Sequence, residues 1–308
     1  MHVLVTGGAG FIGSNLADRL ILDGHAVRIL DDFSTGYWEN LNPTVEVIEA
    51  DVTDLPAVRK AVEGVEVVFH QAAHRAVQRS VEHPLATDTA NTHGTLTVLE
   101  AAREAGVRRV VCASSSSVYG GTTTLPTPES TPALPRSPYA VSKLGGEHYC
   151  RIFTELYGLE TVSLRYFNVY GPRQRPDSAY AAVIPLFLHA IRSGEAAVVH
   201  GDGRQSRDFT FIDDVVSANV AAAGASAFAC NGKVYNIAAG AAHSLIELLE
   251  ILGKILGIRP RWTHTDRRPG DVRHTQANIA AAREDLGYEP RVGFEEGLGA
   301  TVAWFAGR

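Results

Sequence analysis

The chain has 308 residues, of which 45% are hydrophobic and 20% charged, with a net charge of −6. This composition is typical of a globular protein and argues against nonspecific nucleic-acid binding, which needs a basic surface. Cys112, Cys150 and Cys230 form no CxxC pair, so the sequence indicates neither a disulfide framework nor a zinc knuckle.

Short β-branched runs alternate with longer segments of helical period in the first half of the chain. The runs are HVLVT, AVRILD, VEVIEA, EVVFH, RRVVCAS and TVSLRY. Such alternation predicts βαβ units around a parallel sheet. Because the chain starts directly with a strand-like run, and no apolar run is long enough to span a membrane, we expect a cytoplasmic protein without a signal peptide.

A glycine-rich turn, VTGGAGFIGSNL, follows the first predicted strand. Gly7, Gly10 and Gly13 are spaced three apart, between a strand and a predicted helix. Glycines in this context let the backbone turn tightly and approach a pyrophosphate, which then lies at the helix N-terminus. The turn therefore predicts a dinucleotide site.

Two acidic residues at the end of the second predicted strand indicate which dinucleotide binds. Asp31 is placed to accept hydrogen bonds from the hydroxyls of an adenosine ribose. Asp32 would repel a 2′-phosphate, so the pair favours NAD over NADP despite nearby Arg28. The alternative is an acidic strand end that simply faces water.

These features predict an α/β fold, a Rossmann-type doubly wound parallel sheet with a smaller C-terminal substrate-binding lobe. The sheet domain is predicted for residues 1–166, with later segments around 209–240 returning to it, and 167–308 mainly form the lobe. The alternation loosens near residue 167, where GPRQRPD and GDGRQSRD read as loops. Ser244 and Glu247 form a capping-box pattern that predicts a late helix.

Tyr139 and Lys143, within SPYAVSKLGGE, are four residues apart and would share one face of a helix. Upstream, four serines at 114–117 follow an apolar run that predicts a buried strand. Neither pattern is specific alone. His70 and His74 have the spacing of metal ligands, but they follow the fourth strand beside the expected cofactor, and no metal site is predicted.

Taken together, these motifs resemble the extended short-chain dehydrogenase/reductase family over nearly the whole chain. Within that family, LRYFNVYGPRQRPD, HGDGRQSRDFTFIDDVV and RRPGDVRHTQAN are similar to loops of UDP-sugar 4-epimerases, most of all those acting on UDP-glucuronate. The resemblance implies a retained NAD cofactor, a UDP-sugar substrate and a homodimer, with no nucleic-acid or membrane partner.

The resemblance also implies a role for particular residues. The implied catalytic residues are Ser115, Tyr139 and Lys143. The implied cofactor-binding residues are Gly7, Gly10, Phe11, Ile12, Gly13, Asp31, Asp32, Asp51, Val52, Gln71, Ala72, Ala73, Arg75, Asn91, Tyr139, Lys143 and Tyr166. The implied substrate-binding residues are Ser115, Ser116, Ser117, Asn168, Arg175, Val183, Val199, Arg207, Arg268 and Asp271, with Arg273 as a weaker addition.

Four positions bear on the reaction and the sugar. Ser116 and Ser117 stand where related dehydratases and decarboxylases carry acids, so elimination lacks its catalyst. Arg175 matches an arginine that pairs with the sugar carboxylate in hexuronate epimerases, although loop packing is an alternative. Thr275 replaces a bulky tyrosine and leaves room for a substituted sugar. UDP-N-acetylglucosamine or UDP-glucose remains the alternative substrate, and a non-catalytic NAD-binding sensor the alternative class.

Overall fold

A computed structural model describes residues 1–174, 182–267 and 272–307. Three residues of the predicted substrate site, Arg175, Arg268 and Asp271, lie outside the described residues. Within the described ranges, no helix is both long enough and apolar enough to cross a membrane.

All six β-branched runs form strands of one parallel sheet, as the sequence predicts. The elements of this half are β1 (His2–Thr6), α1 (Phe11–Leu22), β2 (Ala26–Asp31), β3 (Glu46–Glu49), α2 (Leu55–Val62), β4 (Val67–His70), α3 (Val77–Glu82), α4 (Pro84–Asp88), α5 (Gly94–Glu104), β5 (Arg109–Ser115), α6 (Pro138–Tyr157) and β6 (Glu160–Tyr166). A 3-10 turn spans Ser116–Tyr119 directly after β5.

Short strands and helices follow β6 along the described part of the chain. They are β7 (Val169–Tyr170), α7 (Val183–Ser193), β8 (Ala197–His200), β9 (Ser206–Asp208), β10 (Thr210–Phe211), α8 (Ile212–Gly224), β11 (Asn231–Ile237), β12 (Ala242–Ser244), α9 (Leu245–Leu256), β13 (Trp262–Thr265), α10 (Ala280–Leu286) and α11 (Phe294–Ala306). The predicted capping box is present, because Ser244 Oγ accepts from the Glu247 N–H and the Glu247 carboxylate accepts from the Ser244 N–H.

The strand order of the main sheet is β11-β6-β5-β4-β1-β2-β3, and every neighbouring pair is parallel. The order reverses between β1 and β4, which opens a crevice at the carboxyl ends of these strands where ligands of doubly wound sheets bind. Strand β11 extends the sheet beyond β6 and falls inside the segment predicted to return from the lobe. The fold class is thus confirmed.

Apolar side chains cover both faces of this sheet because its strands are buried between helices. Along β1, Val3 and Val5 pack in one cluster with α1, whereas Leu4 packs in a second cluster with α2 and α5. This alternation follows from the period of two along a strand. The sheet is therefore a rigid support whose strand ends carry the polar residues described next.

Candidate active site

The glycine turn between β1 and α1 has the geometry that brings a backbone close to a ligand. Gly7 has a φ of +67°, and Gly10, the residue before α1, donates from its N–H to the Gly7 carbonyl at 3.1 Å. A Cβ on Gly13 would lie 2.1 Å from that same carbonyl oxygen. The turn is thus a cradle that only glycine permits, beside the N–H groups that begin α1, as binding of a diphosphate requires.

Asp31 fixes this turn and is buried, whereas Asp32 beside it is exposed to water. Its side chain is 6% exposed, and its carboxylate accepts from the backbone N–H groups of Ala9 and Phe33, both at 2.9 Å. Burial raises the pKa of Asp31, and these two hydrogen bonds oppose the rise. The carboxylate is therefore held at the rim of the crevice, where a ribose would lie.

A cavity extends over the strand ends from the glycine turn to α6. It is lined by all of the predicted cofactor residues except Asn91. Its lining also contains residues that the sequence analysis missed, namely Leu30, Ser34, Thr35, Ala50, His74, Ala90, Ala113 and Ser114. Most of these adjoin a predicted cofactor residue or a strand end, so extending each motif by a few residues would have found them.

Asn91 lies behind the cavity rather than in its lining. Its side chain is 2% exposed, accepts from the His74 N–H at 2.7 Å and donates to the His74 carbonyl at 3.1 Å. It also donates to Ser142 Oγ at 2.9 Å. The amide therefore ties the loop after β4 to α6.

His70 is the centre of a second buried network under the same loop. Its Nδ1 bonds Thr6 Oγ1 at 2.7 Å and its Nε2 bonds Thr95 Oγ1 at 3.0 Å. Burial lowers the pKa of His70 to about 3, and the positive charge of Lys143 adds to this effect. The imidazole is thus a neutral structural group. Among the described residues, no cluster of three or more His, Cys, Asp or Glu could hold a metal ion.

Tyr166 lines the cavity from the end of β6, and two side chains hold its hydroxyl. Tyr166 donates to an oxygen of Gln71 or Asn219 at 3.2 and 3.1 Å, and Asn219 Nδ2 donates to the phenol oxygen at 2.8 Å. Burial raises the pKa of Tyr166, which keeps the phenol neutral. Asn219, on α8, was not predicted because no motif marks it.

Helix α6 brings Tyr139 and Lys143 into the cavity lining. The helix begins sharply because Ser137 Oγ accepts from the Ala140 N–H at 3.2 Å and Pro138 occupies its first turn. Lys143 is 8% exposed, and its Nζ donates to the Ala113 carbonyl at 2.9 Å, two residues before Ser115. The structure thus joins the predicted lysine to the strand that ends in the predicted serine.

The four serines have different partners. Ser114 Oγ donates to Glu147 on α6, whereas Ser115 Oγ accepts from the N–H and the hydroxyl of Ser117 at 3.2 and 2.9 Å. Ser116 and Ser117 begin the 3-10 turn after β5. Ser115 therefore sits at the strand end in a fixed position, next to residues 113 and 114 of the cavity lining.

A second cavity lies in the C-terminal part of the described chain. Its lining comprises Val77, Asn168, Val169, Tyr170, Gln174, Ala182, Val183, Ile184, Leu186, Phe187, Val198, His200, Gln205, Arg207, Phe209 and Leu245. Of the predicted substrate residues, Asn168, Val183 and Arg207 are among them. The Val199 side chain is instead fully buried in the core, because alternation along β8 turns its neighbour Val198 towards the cavity.

Two buried glutamines belong to the lining of this second cavity. Gln174 donates from Nε2 to the Val169 carbonyl at 3.0 Å, and Gln205 donates to the His200 carbonyl at 2.6 Å. Their exposed fractions are 4% and 5%, and neither amide oxygen has a hydrogen-bond partner among the described residues. The two oxygens are themselves buried, so the surrounding protein encloses them.

Asp208 anchors the strand that carries Arg207. Its buried carboxylate accepts from the N–H groups of Ala239, Gly240 and Ala277 at 3.0 to 3.2 Å. Burial raises its pKa to about 6, against the effect of these hydrogen bonds. Thr275 Oγ1 lies 3.3 Å from Asn168 Nδ2, so the small residue at this position adjoins the lining of the second cavity.

The fold and the first cavity define a dinucleotide-binding protein of the short-chain dehydrogenase/reductase type. The model of the NAD dependent epimerase/dehydratase family matches residues 3–238, and the chain belongs to that family. NAD is accordingly its cofactor, and the glycine cradle, Asp31 and the cavity lining fit it.

Three similar proteins differ in the sugar that their descriptions name. The chain is 41% identical to a UDP-glucose 4-epimerase of Mycolicibacterium smegmatis, covering 99% of this chain and 98% of the relative. It is 40% identical to the UDP-N-acetylglucosamine 4-epimerase from Methanobrevibacter ruminantium M1 in complex with UDP-N-acetylmuramic acid, with a TM-score of 0.94 and coverage of 99% and 98%. It is 36% identical to MoeE5 in complex with UDP-glucuronic acid and NAD, with a TM-score of 0.90 and coverage of 99% and 99%.

The cradle predicts that Gly13→Ala weakens NAD retention. The added Cβ collides with a backbone oxygen, so α1 must move away from β1, at about 1–3 kcal/mol of unfolding free energy. NAD released from the denatured protein should fall well below the wild-type amount. Gly299→Ala in α11 is the control, because nothing lies within 4 Å of its Cβ position. Equal NAD content in Gly13→Ala and wild type would contradict the cradle.

His70 predicts a loss of stability in acid. The folded protein keeps His70 neutral down to a pKa of about 3, whereas the unfolded chain binds a proton below its ordinary pKa of 6.5. Stability is therefore lost as the pH falls, and between pH 8 and pH 5 this residue accounts for about 2 kcal/mol. Urea unfolding measures the free energy of unfolding at the two pH values. The difference between them should be smaller for His70→Gln than for wild type, whereas the exposed control His264→Gln should show the wild-type difference.

Proposed function

We propose that this protein is a NAD-dependent UDP-sugar 4-epimerase. The observation that carries the proposal is the placement of Tyr139 and Lys143 in the lining of the cofactor cavity, with Lys143 bonded to the strand that ends in Ser115. The second cavity, whose lining includes Arg207, supports a ligand with phosphates. The similarity of the whole chain to the three proteins described above agrees with this assignment.

Each residue of the site has a defined task in this reaction. NAD, held by the glycine turn, Asp31 and the rest of the first cavity, would supply the hydride acceptor for C4 of the sugar and the hydride donor for the other face of the keto sugar. Tyr139 takes the proton from the 4-hydroxyl and gives it back when the 4-keto sugar is reduced. Lys143 holds its positive charge beside this exchange, and Ser115 orients the 4-hydroxyl. Arg207 binds the diphosphate while the 4-keto sugar rotates to present its other face to the cofactor.

The reaction stops at epimerisation because the turn after β5 carries no acid. Ser116 and Ser117 occupy its first two positions, and their hydroxyls are poor proton donors and acceptors for an elimination. The carboxylate of Glu147, which bonds Ser114, is already paired with Arg165. A dehydratase would need a free carboxyl group on this turn.

Tyr139→Phe tests the mechanism. Removing the phenol hydroxyl should lower kcat by about 10²-fold, while KM and the NAD content stay near wild type. The 4-epimer formed from the best UDP-sugar is measured by NMR. Tyr157→Phe, at the exposed end of the same helix, is the matched control and should keep full activity. A Tyr139→Phe enzyme with near-normal kcat would show that another group moves the proton.

We propose further that the sugar is glucuronate, so that UDP-glucuronate and UDP-galacturonate interconvert. The support is Arg175, whose planar guanidinium suits a carboxylate far better than a hydroxymethyl group. Arg175 lies outside the described residues, but the preceding residue, Gln174, lines the second cavity. MoeE5 does not separate the sugars, because it is described in complex with UDP-glucuronic acid and also with UDP-glucose.

An N-acetylhexosamine is the second candidate, and the support for it is Thr275. The threonine is small and adjoins Asn168 of the cavity lining, which leaves room for a substituent on the sugar. The 40% identity to the Methanobrevibacter enzyme agrees with this reading. UDP-N-acetylglucosamine is therefore assayed beside UDP-glucuronate and UDP-glucose.

Arg175→Ala distinguishes the candidates. A uronate carboxylate left without its partner in a closed site costs about 2–5 kcal/mol, whereas UDP-glucose should hardly be affected. The ratio of kcat/KM for UDP-glucuronate over UDP-glucose should fall at least about tenfold, or ~1.4 kcal/mol. Arg175→Lys keeps the positive charge but lacks the two parallel donors. Its kcat/KM ratio should therefore lie between those of wild type and Arg175→Ala. An unchanged ratio would make Arg175 structural and favour the N-acetylhexosamine.

A further inference from the structure

A buried ion pair lies behind the proposed catalytic residues without lining either cavity. Glu147 on α6 and Arg165 on β6 are each 5% exposed, and the guanidinium donates to both carboxylate oxygens at 2.8 and 2.6 Å. Taking two charges out of water is costly, and well-packed apolar residues often give equal or better stability. The contacts of the pair with the residues on either side of Ser115 indicate a role beyond stability.

One end of the pair holds the strand that leads to Ser115. Glu147 Oε1 accepts from Ser114 Oγ, and Lys143 Nζ donates to the carbonyl of Ala113. Tyr139, Lys143 and Glu147 are spaced four apart and lie on one face of α6. Two side chains from this face thus grip two consecutive residues of β5, directly before the serine.

The other end of the pair holds the turn that follows Ser115. Arg165 Nη1 donates to the Tyr119 hydroxyl at 2.9 Å, and this hydroxyl donates to Asn236 Oδ1 at 2.7 Å. Asn236 Nδ2 in turn donates to the carbonyls of Thr127 and Asn278 at 2.9 and 3.1 Å. The segment from Ser114 to Tyr119 is thereby fixed at both ends.

We propose that Glu147 and Arg165 are positioning residues that set Ser115 against Tyr139 and Lys143. The pair acts through Ser114 at one end of the segment and through Tyr119 at the other. This inference rests on the roles given to Ser115, Tyr139 and Lys143 under the proposed function, but it does not depend on which sugar is bound. Small errors in such an alignment lower turnover without weakening substrate binding.

A second ion pair, which joins β5 to β6, serves as the control. Arg109 and Glu160 form an ion pair at the opposite, amino-terminal ends of β5 and β6, where the guanidinium donates to Glu160 Oε2 at 2.6 and 2.8 Å. Arg109 is 1% exposed. This pair joins the amino-terminal ends of β5 and β6, away from Ser115, whereas the first pair joins α6 to the carboxyl-terminal end of β6.

The experiment compares Glu147→Gln with Glu160→Gln in the NAD-loaded enzyme, using whichever UDP-sugar the wild type epimerises best. Glu147→Gln should lower kcat by about tenfold or more, with KM and NAD content within about twofold of wild type. Glu160→Gln should lower the melting temperature but keep kcat within about twofold. A folded Glu147→Gln enzyme with normal kcat, or equal losses of kcat in both variants, would overturn the proposal.

Ser114→Ala carries the test if Glu147→Gln fails to fold, because it removes one hydrogen bond and leaves the ion pair intact. Its kcat should fall at unchanged KM, and an unchanged kcat would overturn the proposal. When both variants fold, their effects on kcat should be less than multiplicative in the double variant, because the two residues act through one contact. Multiplicative effects would contradict that shared path.

Tyr139→Phe separates this inference from the proposed function. If Tyr139→Phe retains activity, the assigned mechanism fails whatever Glu147→Gln does. If Tyr139→Phe is inactive and Glu147→Gln is fully active, only the positioning role fails.

Discussion

The packing of α6 against the carboxyl end of β5 is the constraint on which the site depends. Lys143 and Glu147 reach from this helix to residues 113 and 114 of the strand, and Tyr139 extends from the same face into the cofactor cavity. Because the three side chains repeat every four residues, one placement of the helix axis sets all of them. The sharp start of α6 at Ser137 and Pro138 fixes where that repeat begins.

The cofactor cavity is rigid for a related reason. The loop after β4 is held by hydrogen bonds of buried polar groups. His70 joins Thr6 to Thr95, and Asn91 clasps both backbone groups of His74. Buried hydrogen bonds of this kind favour one arrangement, whereas a missing partner would leave a buried polar group unpaired at considerable cost. These contacts therefore fix the loop that lines the first cavity.

Contacts with the main sheet, as well as a core of their own, hold the C-terminal segments in place. Strand β11 joins the sheet beside β6, and the Asn236 side chain within it binds the carbonyls of residues 127 and 278. Asp208 ties β9 to the backbone at 239–240 and 277 in the same way. These hydrogen bonds fix Arg207 and Asn168 relative to the sheet, so the sheet supports the lining of both cavities.

The sequence by itself determined the six strands, the glycine turn with Asp31, the helix that carries Tyr139 and Lys143, and the cap at Ser244. Apart from the link between Gly13 and Asp31, which are 18 residues apart, each of these depends on residues within a few positions of one another, where periodicity and backbone sterics act directly. Tertiary structure alone decided that Ser114 bonds Glu147 while Ser115 ends the strand, that Asn91 lies behind the cavity, and that the Tyr119 hydroxyl bonds Asn236. The partners in these contacts are far apart in the chain, as with Tyr119 and Asn236 at a separation of 117 residues. A single sequence carries no signal for such pairs, because only the packing of helices on the sheet brings them together.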